Sequence, residues 1–175
     1  MKKLVLSLVS VLLLITVLIG CGSKDKKPEV SLEVIHNAVK ESLGEDYYPD
    51  MLLEEEMLEA IYGIDMDDVE DYIAESPMIT MNVDTFIAIK AKDGKVDDVV
   101  EDLEEYRDFL INDGFMYPMN IAKVQASEVV SYGDYAFFIM LGAMDEDLDA
   151  SDEKRLEFAK EEVSKVKTVI ENLFN

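Results

Sequence analysis

The chain has one cysteine, one histidine and no tryptophan among 175 residues, and only 16 Lys plus Arg against 39 Asp plus Glu. Each scarcity excludes something. A single thiol cannot close an intrachain disulfide, so stability must come from packing. A nucleophile-and-base enzyme would have to rely on His36, the only imidazole, which falls in a predicted helix and reads as partly buried structure. The missing tryptophan removes the best stacking platform for sugars. The shortage of cations disfavours nucleic acid and other polyphosphate partners. Carboxylate pairs spaced for glycoside hydrolysis are unavoidable in so acidic a chain and therefore discriminate nothing. The reading is a non-enzyme with no cofactor.

What is present begins with an address. Lys2 and Lys3 precede an apolar run from Leu4 to Ile19, relieved only by Ser7, Ser10 and Thr16, the layout of a secretory signal. The run ends at Leu18-Ile19-Gly20-Cys21, which resembles the bacterial lipobox. That resemblance implies signal-peptidase recognition of Leu18, Ile19 and Gly20, cleavage before Cys21, and lipid attachment at Cys21, whose sulfur takes a diacylglyceryl group with palmitate or similar acyl chains. As an uncleaved anchor the run is short: sixteen residues at ~1.5 Å give ~24 Å against a ~30 Å hydrocarbon core. Two or more acyl chains would hold the protein to the extracytoplasmic face of the membrane. Without Lys2 and Lys3 the 16 basic residues become 14 and the formal charge of −23 becomes −25.

The domain plan is a signal peptide over 1–20, a lipidated cysteine and tether over 21–30, and one α+β domain over 31–175. The tether carries Gly, Ser, Pro and Lys24, Lys26 and Lys27, which suit an anionic headgroup layer. Ser31 caps a first predicted helix carrying Leu32, Ile35 and Val39 and stopping near Gly44. Met51 to Tyr62 reads as a second, closed by Gly63. Pro77 argues against a central strand just before it, so Tyr72 to Glu75 is an edge strand at best. Val83 to Ala91 alternates with period two and ends at Asp93-Gly94, the mark of a central strand. Val96, Val99, Val100, Leu103 and Leu110 line one face of a helix otherwise crowded with acids. Val124 to Ser131 and Tyr135 to Leu141 bracket Gly133-Asp134 as a type II′ hairpin. Ser151 caps a last helix over 152–173. The order α-α-β-β-α-β-β-α implies a mostly antiparallel sheet of three to four strands packed by helices.

Three constellations are candidates for chemistry. Asp145, Asp147 and Asp149 occupy the first, third and fifth places of a calcium-loop pattern, but Ala150 stands where the turn needs Gly and Leu156 where a bidentate Glu belongs. An acidic approach to a helix N-terminus explains them with less. Asp65, Asp67, Asp68, Glu70 and Asp71 are less patterned still. Met78-Ile79-Thr80-Met81 and Met116-Tyr117-Pro118-Met119 share a spacing that soft-metal sites use, although adaptable core filling or a deformable partner surface accounts for both. Tyr47, Tyr48 and Tyr117, beside proline-containing loops, are candidate contact residues.

Several segments together resemble the uncharacterised bacterial lipoprotein family known as domain of unknown function number 4358, found mainly in low-GC Gram-positive bacteria. They are Tyr62-Gly63-Ile64, the strand from Phe86 to Gly94, the helix through Arg107, Tyr117-Pro118, and Ser131-Tyr132-Gly133-Asp134-Tyr135. The likeness spans roughly Ser31 to Ala143. It implies a lipoprotein address and a fold, and no activity. The functional expectation is a membrane-anchored, extracytoplasmic binding module of the cell envelope. It would meet another envelope protein or a cationic solute through the sheet or an acidic helix face. The alternative is an acidic, calcium-buffering protein or an accessory to an envelope enzyme. The sequence fixes no oligomeric state.

Overall fold

The computed structural model describes residues 29–79, 81–147 and 149–175. The expected signal segment, with Leu18, Ile19, Gly20 and Cys21, lies outside the described residues. Helix α1 spans Leu32–Leu43 and begins where Ser31 Oγ accepts from the Val34 amide. It ends at Gly44, whose φ of 56° no other residue type adopts as readily. Helix α2 spans Glu55–Tyr62 and stops at Gly63 in the left-handed region, as the sequence predicts. Its start differs. Met51–Leu52 form a short strand, β1, against Glu75 and Ser76, because the extended segment after Pro49 finds open backbone on its neighbour.

Strand β2 runs Val69–Ser76 and pairs on both sides, which corrects the expectation of a short edge strand. Pro77 falls one residue after the strand ends, so its missing N–H interrupts nothing. Strand β3, Thr85–Ala91, lies at the centre. Helix α3 is Val96–Asn112. The stretch expected as a strand from Val124 divides into a short helix α4, Ile121–Ala126, and strand β4, Glu128–Tyr132. Strand β5 is Tyr135–Met140 and helix α5 is Asp152–Leu173. Between β4 and β5, Gly133 takes φ 64° while Asp134 does not go positive, as a II′ turn requires.

The strand order is β1-β2-β3-β5-β4, every pair antiparallel. The expected α+β architecture thus stands, with five strands rather than three or four. Period-two alternation divides β3 between two cores. Ile87, Ile89 and Ala91 join Phe138, Val99 and Leu103 under α2 and α3. Phe86 and Ala88 join Phe137, Ile139, Val163, Val166 and Ile170 under α1 and α5. Helices cover the sheet on both faces, so among the described residues it offers a partner only its edges. None of the described helices is long and apolar enough to cross a membrane.

Helix α5 supplies much of the second core, and its cap is testable. Ser151 Oγ accepts from the Lys154 amide at 3.4 Å, while Asp152 and Glu153 sit in the positive first turn. Replacing Ser151 by Ala should lower unfolding free energy by about 1 kcal/mol in urea denaturation. An unchanged midpoint would show that the cap contributes nothing.

Candidate functional site

The sheet has two unlike ends. At one, the described chain starts with Glu29, whose carboxylate meets Lys90 Nζ at 2.5 Å beside the β4–β5 hairpin. At the other end the connections 44–50, 77–84, 113–122 and 141–151 converge. These connections contain acids and not one Lys or Arg.

Buried polar contacts knit this second end together. Asp84, fully buried just before β3, pairs with Lys123 on α4, and Lys123 Nζ also donates to the Gly142 carbonyl at 2.7 Å. The second carboxylate oxygen of Asp84 is buried with no hydrogen-bond partner. Desolvation pushes the Asp84 carboxyl up to about 6 despite the pull of the Lys123 ammonium. Asn120, also buried, donates its side-chain amide to the Met81 carbonyl at 3.0 Å and so fastens the 113–122 connection to the β2–β3 loop. Asp50 Oδ1 accepts from the Met78 amide at 2.8 Å, adding the 44–50 connection.

Nearby, Glu75 gathers a cluster on the α1 side of β2. Its Oε2 accepts from the Tyr47 hydroxyl at 2.8 Å and faces His36 Nε2 at 3.0 Å, with Lys40 Nζ at 3.7 Å. A carboxylate only accepts, so His36 Nε2 carries the proton here. The His36 ring also stacks on Phe86 and meets Tyr47 edge-on. Burial, followed by the Glu75 bond and charge, drives the Tyr47 phenol well above its ordinary range and keeps it a donor. Neither His36 contact is a Ser or Thr hydroxyl. The cluster clasps α1, the 44–50 connection and β2 to one another.

Several apolar side chains on these connections are exposed. Met78, Ile79 and Met81 come from the β2–β3 loop, and Phe115, Tyr117 and Met119 from the tied neighbour. Phe115 is 95% exposed and Met78 69%. The Asn120 bond to the Met81 carbonyl thus brings the ends of the two Met-x-x-Met segments, far apart in sequence, next to each other. Met116 departs from the pattern and packs into the first core.

The other sequence candidates fall out differently. Asp145 Oδ1 accepts from the Asp147 amide and Asp147 Oδ1 from the Asp149 amide, so two of these carboxylates are turned onto their own backbone. Among the described residues no group of three or more His, Cys, Asp or Glu gathers as a metal site. Tyr47 is tied to Glu75, whereas Tyr48 and Tyr117 remain substantially exposed. Sequence reasoning missed Asp84, Lys123 and Asn120. The available signals were a lone carboxylate opening the apolar run into β3 and a lone lysine inside Ile121-Ala122-Lys123-Val124.

The segments that carried the family likeness are fold signals: the αL end of α2, β3, the Arg107 Nε bond to the Ser127 carbonyl at 2.7 Å, and the β4–β5 hairpin. A family model described as Domain of unknown function (DUF4358) matches residues 44–141. Neither a curated protein nor a solved structure matches the chain.

Proposed function

The chain belongs to the DUF4358 family, whose model covers more than half of it and brings no assigned activity, and from that premise we propose a lipid-anchored, extracytoplasmic interaction module. Cys21 carries the lipid, after recognition of Leu18, Ile19 and Gly20. The domain acts by contact, not by catalysis. One observation carries this reading: the exposed Met, Phe and Tyr surface lies at the end of the sheet opposite Glu29, where the chain arrives from its tether. Strand β3 alone, seven residues long, separates the two ends by about 20 Å. A module anchored at one end and adhesive at the other presents its contact surface to neighbours in the envelope.

Replacing Cys21 by Ala should move the full-length protein from a detergent-extractable, lipid-modified form to one lacking the acyl mass. Mass spectrometry of the purified membrane fraction reads this directly. Acyl mass that persists in the variant would remove the lipoprotein assignment. Photo-crosslinking in cells from position 119 should trap one saturable neighbour, lost in the Cys21→Ala variant. Random neighbours only would sink the interaction reading.

A further inference from the structure

Resting on that reading, we infer that the occupant of the exposed end is a basic, amphipathic segment of a partner protein. Two independent features of the same surface converge on it. The first is apolar chemistry with a deformable character: Met78, Met81 and Met119 are exposed along with Ile79, Phe115 and Tyr117 on two loops joined by the Asn120 bond to the Met81 carbonyl. Unbranched thioethers repack around differently shaped side chains, so such a surface accepts an apolar helix face without demanding one shape.

The second feature is the sign of the charge around it. Asp50 holds the Met78 amide, and Asp113 directly precedes Gly114 and Phe115. Glu45, Asp145, Glu146 and Asp147 lie on the adjoining connections, which contain no Lys or Arg. Cations on the helices beside these connections are already engaged: Arg155 donates to the carbonyls of Asp147 and Ala150, Lys40 lies over the Tyr47 ring at 4.9 Å and 3.7 Å from Glu75, and Lys165 pairs with Glu162. Lys123, on α4, is buried on Asp84. Exposed apolar side chains on connections that are predominantly acidic select against acidic partners and draw in those whose apolar face is flanked by Lys or Arg.

Charge disfavours the bilayer that holds the anchor, because the acidic surround would be repelled by anionic headgroups. A second copy of the chain would bring the same acidic surround against this one, which like-charge repulsion opposes.

The test uses the full-length lipidated protein in neutral phosphatidylcholine nanodiscs, with empty nanodiscs as the blank. Two labelled helical peptides share one leucine face and differ only in polar residues, lysine in one and glutamate in the other. Fluorescence anisotropy should show saturable binding of the lysine peptide, weakened by added salt, and none of the glutamate peptide. A triple variant, Met81→Gln, Phe115→Ser and Met119→Gln, changes only exposed side chains and should weaken binding about tenfold or more. Equal binding by the variant would reduce the effect to general acidity and overturn the proposal. So would absence of binding, equal binding of both peptides, self-association dissolved by Phe115→Ser, or insertion of the apolar end into anionic vesicles. If the lysine peptide fails while the crosslink from position 119 persists, the partner class is wrong and the interaction module stands. If both fail, the module reading falls as well.

Discussion

Replacing Lys123 by Met should cost about 3–5 kcal/mol of folding free energy near pH 8, because it strands a buried carboxylate. Asp84 is fully buried, one of its oxygens has no partner, and Lys123 is the cation beside the other. The penalty should shrink at pH 5, where the stranded acid takes up a proton and no longer carries charge into the core. The pH sign for the wild type follows from the same group. The Asp84 carboxyl sits at about 6 in the folded protein against an ordinary 3.8, so the native state binds a proton that the unfolded chain releases between those values. The stabilising protonation is complete below 3.8 and is lost as pH rises through 6, a change of about 3 kcal/mol. In Asp84→Asn that fall should vanish from urea-denaturation curves recorded between pH 4 and 7. Replacing both partners, Asp84→Leu with Lys123→Met, should restore most of the loss from Lys123→Met, since no charge is then left buried. A Lys123→Met variant that unfolds like the wild type at pH 8 would mean that Asp84 is not ionised in the native state.

Replacing Gly142 by Ala should be nearly as damaging, costing about 3 kcal/mol or more. Gly142 has φ 121°, a region that side-chain-bearing residues rarely enter, and a Cβ there would lie 2.4 Å from Glu162 Cβ on α5. The clash involves an atom fixed to the helix backbone, so a rotamer change cannot relieve it. Glu162 is itself committed, accepting from the Ala143 amide at 3.2 Å and pairing with Lys165. The Gly142 carbonyl holds Lys123, so a displaced strand end also disturbs the pair with Asp84. Gly133→Ala is the control. That glycine also has positive φ, at 64°, but nothing lies within 4 Å of its added Cβ, so only the conformational cost of about 1 kcal/mol remains. Thermal or urea unfolding separates the two cases. Equal losses would show that contact with α5 is not close in solution.

Local information settled much of this protein. Ser31, Gly44, Gly63 and Ser151 mark helix ends because caps and left-handed turns are decided within a few residues. Period-two alternation placed β3 at the centre, and Gly133-Asp134 set the hairpin, because the side-chain period and turn dihedrals are properties of the chain itself. The DUF4358 likeness was legible for the same reason, since its segments are such signals.

Strand status near Met51 and Pro77 was not legible. Two residues become β1 only because β2 lies ready to bond them, and a proline beyond a strand end looks locally like one inside it. The short helix α4 was lost inside an apolar run whose period its few residues do not establish. The exposed apolar end was still further from view. Sequence offered two Met-x-x-Met spacings and scattered acids. Only folding brought Met81 to Asn120, Asp84 to Lys123, and Met78 to Asp50, across separations of 39, 39 and 28 residues. By itself the sequence determined the charge, the α+β class and most element ends, and carries the lipobox-like Leu18-Ile19-Gly20-Cys21, all of which depend on neighbours along the chain. Tertiary structure alone decided which methionines face solvent and which acids surround them, because exposure is a relation between residues that only long-range packing brings together.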